Sequence, residues 1–159
     1  MSHTPWIAPD LQAVLDRLPD TAILALTLFG EARSEPIEGI VAVGNVVQHR
    51  AKDDKNRWPK TLRAVCLQPY QFSAWNVIGG ERNFARVKQL AEQLARGDVP
   101  QHAAFEECAF VATGLVKGAL RDRVSAANHY HHIKLTPRPS WAQSAVPVKQ
   151  AGAHVFYKL

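Results

Sequence analysis

The chain has 159 residues, 47% hydrophobic and 21% charged, the size and balance of one soluble globular domain with a core of its own. Its net charge of +5 is unevenly spread, an asymmetry that suggests a polyanionic partner, against the plainer reading of a solvated basic surface. No apolar stretch approaches the roughly 20 residues of a membrane-crossing helix, and "MSHTPWIAPD" carries neither a basic leader nor an apolar core for secretion.

In chain order, a first short helix is predicted over residues 9–18, stopped by "LPD". A second follows over 20–32, with Asp20 and Thr21 offering oxygens to its free amides. Being apolar on nearly every side, it is the expected central, buried helix. Pro36 turns Glu35 away from helical angles and opens a third helix over 36–51. Ile40, Val43, Gly44 and Val47 share one of its faces, and Gly44 admits the close approach of another helix. A short helix is predicted over 61–68, an amphipathic one over 81–96 ended by Gly97, and another over 101–117 ended by Gly118. The remainder, "HYHHIKLTPRPSWAQ" and "GAHVFYKL", reads as irregular structure with short strands. The fold class is therefore mainly α (α+β), with residues 1–159 as one domain.

One carboxylate stands out. Leu24, Leu28 and Glu31 fall at i, i+4 and i+7, so Glu31 extends an oily stripe at the C-terminal end of the second helix. Burial and the negative end of the helix dipole both favour the neutral acid, as a general acid working near neutrality requires. The plainer reading is an ion pair with Arg33 or another arginine. Downstream, "QPYQFSAWN" supplies flat faces (Tyr70, Phe72, Trp75) beside directional polar groups (Gln71, Ser73, Asn76). That mixture suits a pyranose ring, apolar on its faces and polar at its rim.

The successive motifs "ALTLFGEARSEPIEGIVAVGNVVQHR", "QPYQFSAW", "NHYHH…PSWA" and "GAHVFY" resemble those of the SleB-type cell wall hydrolases, a family of spore-cortex-lytic enzymes and related phage and bacterial proteins. The resemblance implies a lysozyme-like fold related to lytic transglycosylases. It also implies cleavage of the β-1,4 bond between N-acetylmuramic acid and N-acetylglucosamine. By the same resemblance Glu31 is the catalytic glutamate and Glu35 a supporting one. Gln71, Phe72, Ser73 and Trp75 fall in the groove wall, with His129 and Tyr130 beside it. Ser34 stands where the family usually has glycine, and Ala74 separates Ser73 from Trp75.

Cys66 and Cys108 match no metal or disulfide framework and read as packed thiols. Basic residues cluster at 50–63 (Arg50, Lys52, Lys55, Arg57, Lys60, Arg63) and at 117–138. They suit an anionic wall polymer or outer-membrane surface. The expected partner is bacterial peptidoglycan, met by a monomer without cofactor or metal and without nucleic acid. With no signal peptide read, an endolysin is expected: made in the host bacterial cytoplasm and released to the wall by a holin-type pore. Two rival readings remain. His129, His131 and His132 with His49 or His154 offer three imidazoles to the zinc of a peptidoglycan amidase. Charge beside aromatics also suits a nucleic-acid-binding module.

Overall fold

The most apolar helix takes the centre. The computed structural model describes residue 7 and residues 9–69, 71–75 and 81–159, with residues 9 and 81–83 described by backbone alone. In it α2 (Asp20–Ala32) is buried at every position from 23 to 30. Around it lie α3 (Ile37–Ala51), α4 (Leu62–Cys66), α5 (Glu81–Ala95) and α6 (Ala103–Val116), with α1 (Pro9–Leu15) against α5. The mainly helical expectation holds, and both cysteines are buried thiols.

The helix ends show where local sequence signals compete. α1 stops at Leu15 instead of continuing to 18, because Pro19 disfavours helical angles at Leu18. The chain tightens there into Arg17 N–H to Val14 O (3.1 Å) and Leu18 N–H to Leu15 O (3.0 Å). Asp20 does not cap α2; Pro19 occupies that position without a side-chain bond. The Asp20 carboxylate instead accepts from Arg63 Nε at 3.1 Å. Arg63 also donates to the carbonyls of Leu15 (2.9 Å) and Leu18, so it closes the end of α1. Gly44 has the expected role. A Cβ built there would sit 2.2 Å from Leu115 Cδ1, so the Leu115 side chain of α6 fills the space this glycine leaves on α3.

The C-terminal third forms a three-stranded antiparallel sheet, β1 (His129–His132), β2 (Lys149–Ala151) and β3 (His154–Tyr157), in the order β1-β3-β2. Tyr130 is opposite Phe156, as is Lys149 on the other side. Phe156 enters the core, and β1 and β2 both touch α3. This packing brings the sheet to the end of α2 that carries Glu31.

Candidate active site

Two distant chain segments converge on Glu31. Its Oε1 accepts from Ser73 Oγ at 3.2 Å and from the Ala74 backbone N–H at 3.1 Å, both in the short 3-10 turn Ser73–Trp75. Its Oε2 accepts from the Tyr130 hydroxyl at 3.3 Å, from β1. Burial raises the Glu31 pKa, and these donors hold it down only in part. Burial also lifts the Tyr130 hydroxyl well above its ordinary pKa, the Glu31 charge adding to the effect, so Tyr130 stays a neutral donor. The expected pairing with Arg33 is not what seats the carboxyl. The Arg33 guanidinium lies over the Phe29 ring, 5.0 Å from its centre.

The approach of the 3-10 turn depends on Gly30. A Cβ built there would fall 2.2 Å from Ala74 Cβ and 3.4 Å from Val87 Cγ2. Behind the turn, Trp75 is fully buried and donates its indole N–H to Thr27 Oγ1 at 3.0 Å. Thr27 in turn donates to Ile23 O at 2.8 Å.

Phe72 and Trp75, expected in the groove wall, are therefore corrected to core residues, 1% and 0% exposed. They anchor the turn from inside, while Gln71 and Ser73 alternate to its exposed side. Tyr70 and Asn76 lie outside the described residues. His129 and Tyr130 are separated. Adjacent strand residues point to opposite faces, so Tyr130 meets Glu31 while His129 packs between Trp58 (ring centres 5.6 Å) and Trp141 (4.9 Å).

Glu35 is buried elsewhere. Its side chain is 9% exposed, with Oε2 accepting from the Ala153 backbone N–H at 3.0 Å and Oε1 lying 3.6 Å from His154 Nδ1. Gly152, at φ +57°, closes against it, and a Cβ there would meet Glu35 Oε2 at 2.0 Å. Burial lowers the His154 pKa and Glu35 opposes that shift. The His154 ring also stands edge-on to Tyr130, 5.0 Å between centres. Glu35 thus clamps the β2–β3 turn, at one remove from the residue that holds Glu31. Glu35→Gln is expected to lower stability by about 1–3 kcal/mol, the scale for a hydrogen bond to a charged group and its burial. Activity should suffer far less than in Glu31→Gln. Parallel thermal melts and wall-lysis rates check this, and the opposite ranking would move the acid to Glu35.

Arg50 is more than a member of a basic segment. It is 7% exposed, donating from Nε to Asn128 O at 2.8 Å and from Nη1 to Gln71 Oε1 at 3.4 Å. Its guanidinium lies 5.4 Å from the Trp58 ring centre and 5.5 Å from that of Phe72. Burial lowers its pKa, while Tyr130, Cys66 and Glu31 oppose that shift electrostatically. Much of the 50–63 cluster is likewise occupied within the chain. Arg57 pairs with Asp53 at 2.8 Å, Lys60 donates to Asp53 O, and Arg63 binds Asp20.

His132 and His154 stand with ring centres 5.7 Å apart, but the other imidazoles are engaged elsewhere. His49 faces Ala127 O at 2.6 Å and Asp122 at 3.3 Å, and His131 Nε2 meets the Tyr157 hydroxyl at 2.9 Å. Among the described residues no three His, Cys, Asp or Glu side chains are placed to hold a metal ion, so the zinc reading has no site in them.

The family model for cell wall hydrolases matches residues 34–157, most of the chain. The chain belongs to the cell wall hydrolase family. The match begins just past Glu31, so the case for Glu31 rests on its geometry. A spore cortex-lytic enzyme of Bacillus subtilis (strain 168) is 33% identical over 79 residues, 46% of this chain and 25% of that protein. The chain thus spans about a quarter of that relative's length. Among solved structures, the catalytic domain of the germination-specific lytic transglycosylase SleB of Bacillus anthracis superposes with a TM-score of 0.56 at 23% identity, covering 87% of this chain and 93% of that one. The SleB catalytic domain of Bacillus cereus gives 0.56 at 22% identity, over 89% and 96%. This cell wall hydrolase shares their fold.

Proposed function

We propose that this cell wall hydrolase is a peptidoglycan lytic transglycosylase that works with Glu31 as its one acid and base. Glu31, as the neutral acid, gives its proton to the glycosidic oxygen between N-acetylmuramic acid and N-acetylglucosamine. The bond from C1 to that oxygen breaks, its electron pair leaving with the oxygen. The C6 hydroxyl of the same muramic acid attacks C1 and loses its proton to the Glu31 carboxylate, restoring the acid. A nucleophile already attached to the substrate carries the advantage of high effective molarity.

The observation that carries this reading is the unequal placement of the two carboxylates. Glycoside hydrolysis ordinarily takes two, facing each other across the scissile bond at roughly 5–9.5 Å. Glu35 is committed to Ala153 and faces His154, which leaves Glu31 as the carboxyl with a cycle to run. Its partners suit both of its states. The Ser73 and Tyr130 hydroxyls can donate to the carboxylate or accept from the acid, while the Ala74 N–H fixes one oxygen throughout.

Mass spectrometry of fragments released from purified peptidoglycan tests the proposal. Chains ending in 1,6-anhydro-N-acetylmuramic acid are expected, each lighter by one water than a hydrolysed end. Reducing muramic acid ends alone would make the enzyme a lysozyme and require a second carboxylate.

A further inference from the structure

We infer that Trp58, His129 and Trp141 form a second carbohydrate-binding wall, which holds a sugar of the glycan strand away from the bond being cut. The inference rests on the peptidoglycan reading above and adds to it a subsite on the other face of β1. All three rings are partly exposed, with His129 between the two indoles. Arg57 and Arg50 stand 4.6 and 5.4 Å from the Trp58 ring centre, so a pyranose C–H face would lie on what these guanidinium groups leave of that indole and on Trp141.

The decisive detail is the tautomer of His129. Asn128 Oδ1 already accepts from the Leu159 backbone N–H at 3.0 Å and so is an acceptor. His129 Nδ1, 2.8 Å from that oxygen, must therefore carry the proton. In the neutral ring Nε2 is then a lone-pair acceptor, set between two indoles. Burial first, then the charges of Arg50 and Arg57, push the His129 pKa down to about 4, so the ring is neutral near pH 7. An acceptor flanked by aromatic faces matches the hydroxyl or acetamido N–H of an N-acetylated sugar. A purely structural aromatic cluster has no need of it.

The wall is tied to the reacting carboxyl through Arg50. Its guanidinium lies against Trp58, bonds Asn128 O next to His129, and reaches Gln71, two residues before Ser73. Sugar bound at the wall and sugar bound at Glu31 therefore sit on one connected framework.

The test uses the full chain carrying Glu31→Gln, so that ligand is not turned over, and titrates peptide-free glycan strands of alternating N-acetylglucosamine and N-acetylmuramic acid by calorimetry. Adding Trp58→Ala or Trp141→Ala is expected to weaken binding roughly 10-fold or more, the scale of an aromatic anchor. His129→Phe keeps a ring between the indoles but removes the acceptor, and is expected to weaken binding several-fold with its melting temperature held. Trp58→Phe and Trp141→Phe should recover most of the binding, which separates lost stacking from lost folding. If the folded aromatic variants bind like the parent, the wall is overturned while the proposed activity stands. If the parent binds no glycan strand, the proposed function fails and takes the wall with it.

Discussion

Glu31→Gln is expected to cut wall lysis by about 10²–10⁴-fold, the range for loss of a general acid. The amide has nearly the shape of the carboxyl and its oxygen can still accept from Ser73 or Ala74, so the turn and Tyr130 should keep their places. Burial makes Glu31 hold its proton more tightly in the folded chain than in the unfolded one. Folded wild-type protein therefore loses stability as pH rises from the ordinary carboxylate range through the raised pKa, and the loss persists above it. Glu31→Gln lacks that loss. Its melting temperature should match wild type in acid and equal or exceed it at neutral pH. Wild-type activity should decline on the alkaline side as the acid ionises. Lysis by Glu31→Gln at the wild-type rate would remove Glu31 from the chemistry.

Gly30→Ala should damage both the fold and the site. In an ordinary helix interior this exchange gains roughly 1 kcal/mol of helix propensity. Here the new methyl meets Ala74 Cβ at 2.2 Å, and a single methyl group cannot turn aside. The Ser73–Trp75 turn must shift, taking the Ser73 hydroxyl and the Ala74 N–H away from Glu31. Overpacking of this kind costs about 1–3 kcal/mol, so the sign of the helix-propensity effect is reversed. Denaturant melts should show the loss of stability, and lysis should fall further than stability alone explains. A variant as stable and active as wild type would mean that the two elements do not meet this closely.

The reasoning that singled out Glu31 was available for Arg50 as well. Leu24, Leu28 and Glu31 end one apolar stripe in a charge; Ile40, Val43, Val47 and Arg50 end another in the same way, and both charges are drawn into the same site. Helix existence was legible because periodicity and breakers agreed, whereas caps were not. Asp20 had a backbone amide and Arg63 in competition for one carboxylate, and only the folded chain decides between them. Aromatic residues in "QFSAW" and "HYHH" announced a groove without saying which would face it. The alternation of a strand was enough to separate His129 from Tyr130. The burial of Phe72 and Trp75 depends on Arg50 and Thr27, partners from distant stretches of chain. The Glu35 contact with Ala153 spans 118 positions, and no local pattern reports it.

That same clamp makes the order of synthesis matter. The Ser73 and Tyr130 contacts with Glu31 span 42 and 99 positions, and the Ala153 contact with Glu35 spans 118. Contacts this far apart close late, after local helices have formed. While the ribosome still holds the C-terminal strand, α2 can exist but β1 has no β3 to pair with, and Tyr130 has no fixed position from which to reach the acid. Until β3 is made and paired, the residues that seat Glu31 are not all in place, so the site forms only after β3 has folded against β1.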